Sequence, residues 1–400
     1  MRAGGTPPVD DVSMWSYDGT PWVAIGDMTA SEIVRGTQRL VSPRGVKAKS
    51  LPIGHPGTLL FAMYASVGAI AVLGIEATWN QAILGIEARP GFCHVRFLMY
   101  WLQNLKPDLP ALVRSNTQDN LNAEQVGNFP FPVLPMDRQR AIADHLDAET
   151  TRIDALIAKK RRMIELLEKR RQALITASVE GRDTGADQTG DGVSEVRPLR
   201  FYAEVALGRQ RSPQHENGVH MVSYLRAANV KDGALTLEDV KVMNFTPAEQ
   251  QVFALRPGDI LVTEGSGSLR AVGASAVWSD EFPGVVCFQN TLLRLRPRVS
   301  TDPRFLSWWC RSAFASGLFA SVAEGANIFH LSAERVRALP MTHLSLDVQR
   351  AIADVLDIET TRINRLTRKL RNQIDLLTEH RQALITAAVT GELDIAKVAA

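Results

Sequence analysis

Cysteine is nearly missing from this chain: the three residues Cys93, Cys287 and Cys310 among 400 share no CxxC spacing. That excludes a disulfide framework and a cysteine-rich metal site, and it suits a reducing compartment. Each is expected to be a small buried hydrophobe. An excess of one charge is missing too. The formal net charge is +2, with 10 basic and 10 acidic residues in 1–135 and 16 and 13 in 197–345, so charge alone announces no nucleic-acid binder. The motifs of catalysis are absent as well: no GxGxxG after a strand, no P-loop, no NPPY tetrapeptide, no HExxH. GSGS at Gly265 lacks the helix and lysine of a phosphate cradle. The eight histidines are scattered, and the adjacency of Cys93 and His94 does not set a base on a nucleophile. No catalytic or metal-ligating residue is therefore expected.

Long hydrophobic runs are represented once, by TLLFAMYASVGAIAVLGI at Thr58–Ile75, uncharged over about the length of a membrane span. The aligned stretch GDILVTEGSGSLRAVG at Gly258 carries Glu264 and Arg270, and a charge at a bilayer centre costs about 2.5–3.5 kcal/mol. Both stretches read as strand, Gly/Ser turn, strand. The N-terminus shows no basic and apolar leader pattern, and a cytoplasmic protein without membrane contact is expected.

What the chain has is repetition. RQALITA occurs at Arg171 and again at Arg381, and a shift of 210 lays Gln139–Gly181 over Gln349–Gly391 without a gap, 28 of 43 pairs being identical. The register reaches back through Pro130 over Pro340 to Leu121 over Leu331. With 45% hydrophobic residues, two halves of this size can each bury a core.

Gly and Pro are absent from Gln139 to Glu180, so about 40 residues can run as one helix of about 55–60 Å, stopped by Gly181 and, in the second copy, by Gly391. Steps of 4 and 3 connect Ile142, Leu146, Ile153, Leu156, Met163, Leu167 and Leu174 when the polar Glu149, Lys160 and Arg170 are admitted. Ile352, Leu356, Ile363, Leu366, Leu370, Leu377 and Leu384 form the second series. Such a heptad needs a partner of equal length. The two helices are expected to pair with each other, antiparallel, with Leu146, Ile153, Leu167, Leu174, Leu356, Ile363, Leu377 and Leu384 in the seam. The bland alternative is two solvated surface helices on separate domains.

The remaining regions read as mixed α/β. Strand-like runs such as PWVAIGDM, GDILVTEG and NTLLRLRP alternate with turn residues, and each half has a Trp-bearing apolar helix, FLMYWLQNL at Phe97 and FLSWWCRSAF at Phe305. Those aromatics are expected in the core. The division expected is 1–138 and 197–345 for the two domains, 139–180 and 346–391 for the helices, 181–196 for an acidic Gly-rich linker, and 392–400 for a tail.

The order of a variable domain, GTLLFAMYAS with NQAI, TQDNLN, P…RQRAIADHLD and a long helix, then the same again, resembles the DNA specificity subunit of type I restriction-modification systems. The resemblance implies an α+β fold of two target recognition domains joined by the paired helices about a pseudo-two-fold axis. It implies that each domain reads one half of a bipartite site on double-stranded DNA. The duplicated helices would space the domains and dock two methyltransferase subunits, with restriction and translocase subunits joining through the complex. The chain itself would be non-catalytic, and S-adenosylmethionine, ATP and Mg would be bound by the partners. VRPLRFYAEVAL precedes GRQRSP in the second half, and a comparable segment is expected ahead of GGTPP in the first, where the chain has almost none. Under this resemblance the turn residues Ser266, Ser268 and Arg270, with Tyr64 and Ser66 at the matching place, are candidates for base readout. Arg209, Arg211 and Arg226, and Arg44, Lys47 and Lys49 in the first domain, are candidates for phosphate contact. A non-DNA adaptor bridging two partner copies through the coiled coil is the alternative.

Overall fold

A computed structural model describes the chain apart from residues 31, 65, 110–120, 182–194, 213–215 and 396–400. Most of the expected linker, residues 117–120 of the TQDNLN stretch and the end of the tail lie outside the described residues. The chain forms two compact units, one of Met1–Lys160 with Arg371–Ala400 and one of Arg161–Leu370. The units thus divide inside the two long helices, Met136–Val179 and Leu346–Thr390, rather than at the linear boundaries read from sequence.

In unit 1 a five-stranded sheet runs in the order Arg2–Ala3, Ile83–Ile86, Leu59–Ala62, Ile70–Leu73, Ile33–Val34. In unit 2 the corresponding four-stranded sheet runs Ala203–Leu207, Leu292–Pro297, Ile260–Thr263, Ser275–Val277. A second sheet accompanies each. Thr20–Val23 pairs antiparallel with Arg39–Val41 and parallel with Thr78–Trp79, and Met221–Leu225 pairs likewise with Lys241–Asn244 and Val286–Phe288.

The membrane-like run is explained by these layers. Leu59 and Phe61 face a core shared with the helix Val95–Leu105 and both long helices, while Leu60 and Ala62 face a second core around Val23 and Trp79. A strand covered on both faces has no polar side and reads as an unbroken apolar stretch. Ile260 and Val262, against Leu261, repeat this in unit 2. Among the described residues no helix is long and apolar enough to cross a membrane.

The Trp-bearing helices attach each domain to the long helices. Tyr100 donates to Asp147 at 2.7 Å, and Arg96 pairs with the same carboxylate. In unit 2 Trp308 donates to Asp357 at 2.8 Å and Arg304 bonds Asp354 at 2.7 Å. Trp308 and Trp309 are buried, in the core rather than on a stacking platform. The repeated Gln139 and Gln349, buried, fasten the same joint. Gln139 accepts from His94 N at 2.8 Å and donates to the carbonyls of Phe92 and Leu134 at 2.9 and 2.8 Å. Gln349 accepts from Asp302 N at 3.0 Å and donates to Ser300 and Leu344 at 3.2 and 2.8 Å.

Within each unit the long helices run antiparallel. In unit 1 Lys160 bonds Gln373 and Asp154 bonds Arg381, so one number falls as the other rises. In unit 2 Arg171 bonds Asn364. Leu146, Ile153, Leu356 and Ile363 are buried, and Leu167, Leu174, Leu377 and Leu384 are half-buried. The other half of the heptad differs from the sequence reading. Leu156, Met163 and Leu366 are exposed at 42%, 46% and 41%, and the inward positions are Thr150, Ile157 and Ile164, with Thr360, Thr367 and Ile374 in the second helix. From a shared residue the next inward position can lie three or four places on, and Leu156-Ile157 and Met163-Ile164 offer an apolar residue at both. Thr150 decides the phase: its hydroxyl satisfies itself on the Leu146 carbonyl at 2.6 Å while taking the Tyr100 contact at 3.1 Å, which turns Thr150 rather than Glu149 inward. Gly181 and Gly391, at φ 75° and 84°, follow the helix ends in the left-handed region that favours glycine.

Candidate nucleic-acid interface

Among the described residues no group of His, Cys, Asp and Glu is placed to hold a metal ion. On the second sheet of unit 2 lies an open cleft of about 660 Å³ lined by Arg211, Tyr224, Arg226, Lys241, Gln289 and Thr291 among others. Its register comes from the ladder: Tyr224 stands opposite Lys241, and the parallel neighbour delivers Cys287 and Phe288, immediately before Gln289.

Three cations meet two carboxylates there. Arg226 and Lys241 share Asp239 at 2.6 and 2.5 Å, and Arg211 pairs with Glu216 at 2.9 Å. The Lys241 ammonium, with Arg226 behind it, holds the Asp239 carboxyl below its usual range. An incoming phosphate must share or displace these carboxylates, so the cleft has a small positive surplus rather than an open basic field.

The same ladder in unit 1 puts Trp22 opposite Arg39. The Arg39 guanidinium lies 3.5 Å over the Trp15 ring, and Trp15 meets Trp22 edge to face at 5.3 Å. Tyr17 is fully exposed nearby in sequence, and Gln81 accepts a hydrogen bond from Thr6. Asn80, by contrast, caps its own turn through Ala82 N. An aromatic residue faced by a cation thus recurs at one register position in both units.

The sequence candidates fall into three groups. Arg211 and Arg226 line the unit 2 cleft, and Arg44, Lys47 and Lys49 are exposed on and just after the short helix Pro43–Ala48. Ser268 and Arg270 are exposed, and Arg270 has no ion-pair partner among the described residues, but Ser266, Ser268 and Arg270 are not in the cleft wall. Gly265–Ser266 pairs with Phe329–His330 instead, which leaves Ser266 half-buried. Ser66 is exposed at φ 79°, whereas Tyr64 packs half-buried against the unit 1 core, so its ring is not free for readout.

Arg209 departs furthest from its expected role. It is 7% exposed, donates to the Asn244 carbonyl at 2.6 Å, pairs with Glu249 at 2.8 Å and lies 4.9 Å over the Phe245 ring. Burial would raise the Glu249 carboxyl, but its capping bonds with Thr246 and the charge of Arg209 hold it below its ordinary value. Arg209 is a buried brace and no phosphate contact. Arg39, Lys241, Tyr17 and Gln289 escaped the sequence reading, because only strand pairing reveals that Trp22/Arg39 and Tyr224/Lys241 are equivalent.

Two mixed α/β units, each with an aromatic residue opposite a cation on its second sheet and each built on a pair of antiparallel helices, define a duplicated architecture. Residues 2–166 match the family model described as the type I restriction modification DNA specificity domain. It is similar to the type I restriction enzyme StySPI specificity subunit of Salmonella potsdam, 28% identical over 174 residues, 43% of this chain and 36% of that one. The EcoKI specificity subunit of Escherichia coli K12 is 22% identical over 286 residues, 68% of this chain and 60% of its own. The chain therefore matches about one third and three fifths of these two relatives. Among solved structures, a chain from a study of complex assembly and conformational transition of the type I R-M system superposes with TM-score 0.75 at 16% identity, covering 98% of this chain and 96% of that one. The HsdS subunit from Thermoanaerobacter tengcongensis gives 0.57 at 18%, covering 98% and 95%. At these identities the structures establish likeness of fold.

Proposed function

We propose that this chain is the non-catalytic subunit that reads double-stranded DNA for a type I restriction-modification complex, each unit taking one half of a bipartite site. The observation that carries the reading is the equivalence of Trp22/Arg39 and Tyr224/Lys241: one scaffold position, filled by a similar pair in two diverged units. Arg39 and Lys241, with Gln289 in the wall of the Lys241 cleft, are the side chains assigned to base edges. Arg44, Lys47, Lys49, Arg211 and Arg226 supply phosphate contacts, each adding somewhat under one unit to the salt slope of binding.

The long helices space the units and dock two methyltransferase subunits. Support comes from leucines that the repeat duplicates and the fold leaves outside: Leu156 and Leu366 at 42% and 41% exposure, Leu166 and Leu376 at 51% and 63%. Exposed leucines kept in both copies fit a partner that binds twice. In this reading restriction and translocase subunits join through the complex, S-adenosylmethionine, ATP and Mg reside in the partner subunits, and the assembly works in the cytoplasm. The test is a mobility shift with a randomised duplex library, with and without methyltransferase subunits. Selection of a bipartite sequence, altered in one half by Arg39→Ala and in the other by Lys241→Ala, supports the reading. Two partner copies bound with no sequence selected would make the chain an adaptor.

A further inference from the structure

An exposed apolar side chain recurs at one register position of the two units. The ladders make Trp22 and Tyr224 equivalent, and five residues ahead of them stand Tyr17, fully exposed, and Val219, at 91% exposure. Met221, two residues on, and Val242, opposite Ser223 on the neighbouring strand, are exposed as well, at 41% and 57%. Side chains two apart on a strand share a face, so Met221 and Val242 look the same way, and Val242 enters the wall of the cleft that holds Arg226 and Lys241.

Neither position is a loose turn. In unit 2 His220 N donates to Asn244 Oδ1 at 2.9 Å and Phe245 N donates to the His220 carbonyl at 2.9 Å, while Gly218 lies so close to Asn244 that an added Cβ would run into its side chain. With both neighbours pinned to the end of the adjoining strand, Val219 is left outside. In unit 1 Trp15–Ser16 and Thr20–Val23 pair with the two sides of Arg39–Val41, so residues 17–19 bridge that strand. The Ser16 hydroxyl donates to Asp18 at 2.6 Å, and a Cβ on Gly19 would run into the Val41 carbonyl. Tyr17, between them, is held outside in the same way. An apolar group ordered by its neighbours rather than by burial loses little further freedom when a ligand covers it.

We propose that this shared position reads the 5-methyl group of thymine, through Val219 with Met221 and Val242 in one half-site and through Tyr17 in the other. The inference rests on the DNA reading above and adds to it a named feature of a base. The occupant of the cleft must offer negative charge to Arg211, Arg226 and Lys241 and, at the rim that Val242 shares, a small apolar group. Duplex DNA offers both in its major groove, where the thymine methyl stands between the phosphate backbones, whereas the minor groove displays no methyl. Cations alone favour the acceptors of guanine, and the apolar contact adds a preference that they lack.

Once the randomised library has returned a target, each thymine in it is replaced in turn by deoxyuridine, which keeps every hydrogen bond and removes only the methyl group. Competition binding is then measured with the full chain and its methyltransferase subunits. One such replacement in each half-site should weaken binding about fourfold, the contribution of one buried methyl. Val219→Ser should abolish that discrimination in the half altered by Lys241→Ala, and Tyr17→Ser in the half altered by Arg39→Ala. Val219→Ile should keep it, and circular dichroism should be unchanged throughout, both residues being exposed. A library that selects no sequence overturns the DNA reading and this inference with it. A selected target whose half-sites lack thymine, tolerate deoxyuridine throughout, or discriminate equally after Val219→Ser and Tyr17→Ser leaves the DNA reading standing and overturns this inference alone. Weakened binding of methyltransferase subunits with the discrimination intact would assign the position to a protein partner and overturn it likewise.

Discussion

Replacing Gln139 with Met keeps the side chain's length and removes its three hydrogen bonds, to His94 N, Phe92 O and Leu134 O. Each such bond contributes about 1 kcal/mol net, and a buried group left unpaired costs about 1–3 kcal/mol. The residue is fully buried, so water does not replace the lost partners without an opening of the joint between helix and domain. The expected loss is about 3–5 kcal/mol, a large share of the stability of a domain this size. Gln349→Met should lose a similar amount, its Ser300 bond being the longest of its three at 3.2 Å. Urea unfolding of both variants, followed by far-ultraviolet circular dichroism and tryptophan emission, reads the change. The two residues lie in different units, so their effects should add within about 0.5 kcal/mol. A Gln139→Met loss below about 0.5 kcal/mol, the scale of a neutral surface change, would show that the joint is not held by these bonds.

Ile157→Asp should melt the helix pair, whereas Leu156→Asp, one residue away and exposed, should stay within about 0.5 kcal/mol of the parent in the same unfolding experiment; equal losses would restore the phase read from sequence. Arg209→Ala should lower the midpoint of unit 2 unfolding, because it strips Glu249 and the Asn244 carbonyl of their partner, and leave the salt slope of DNA binding unchanged. Arg270→Ala should cost about 1–3 kcal/mol and relax one half-site if that turn reads a base, while Arg211→Ala weakens all sequences alike; competition binding separates the two. Burial pushes the Cys287 thiol up to about 12 and raises that of Cys310 as well, so both stay protonated at pH 8. Mass spectrometry after brief native alkylation should find neither modified, and half-buried Cys93 modified first.

The long helices were legible because periodicity is local: an uninterrupted span, repeated, with glycine after each end, needs no tertiary information. The shared seam residues followed from the same pattern, yet their alternates did not, because Leu156 and Ile157 are equally apolar and the choice depends on what Thr150 and Tyr100 bond. Of the candidate interface, Arg211 and Arg226 were found as basic residues near turns. Arg209 was placed there on the same grounds and lies under the surface, since sequence does not show that Phe245 and Glu249 close over it.

By itself the sequence determined the duplication, the helical spans, the strand–turn–strand reading of the stretches at Thr58 and Gly258, and the resemblance to specificity subunits, all of which rest on patterns within one stretch or between two copies. Tertiary structure alone decided which residues from distant strands share a register: Trp22 with Arg39, and Tyr224 with Lys241. The physical reason is that side-chain periodicity tells which face a residue takes, whereas hydrogen-bonded pairing between segments many residues apart sets what stands opposite it.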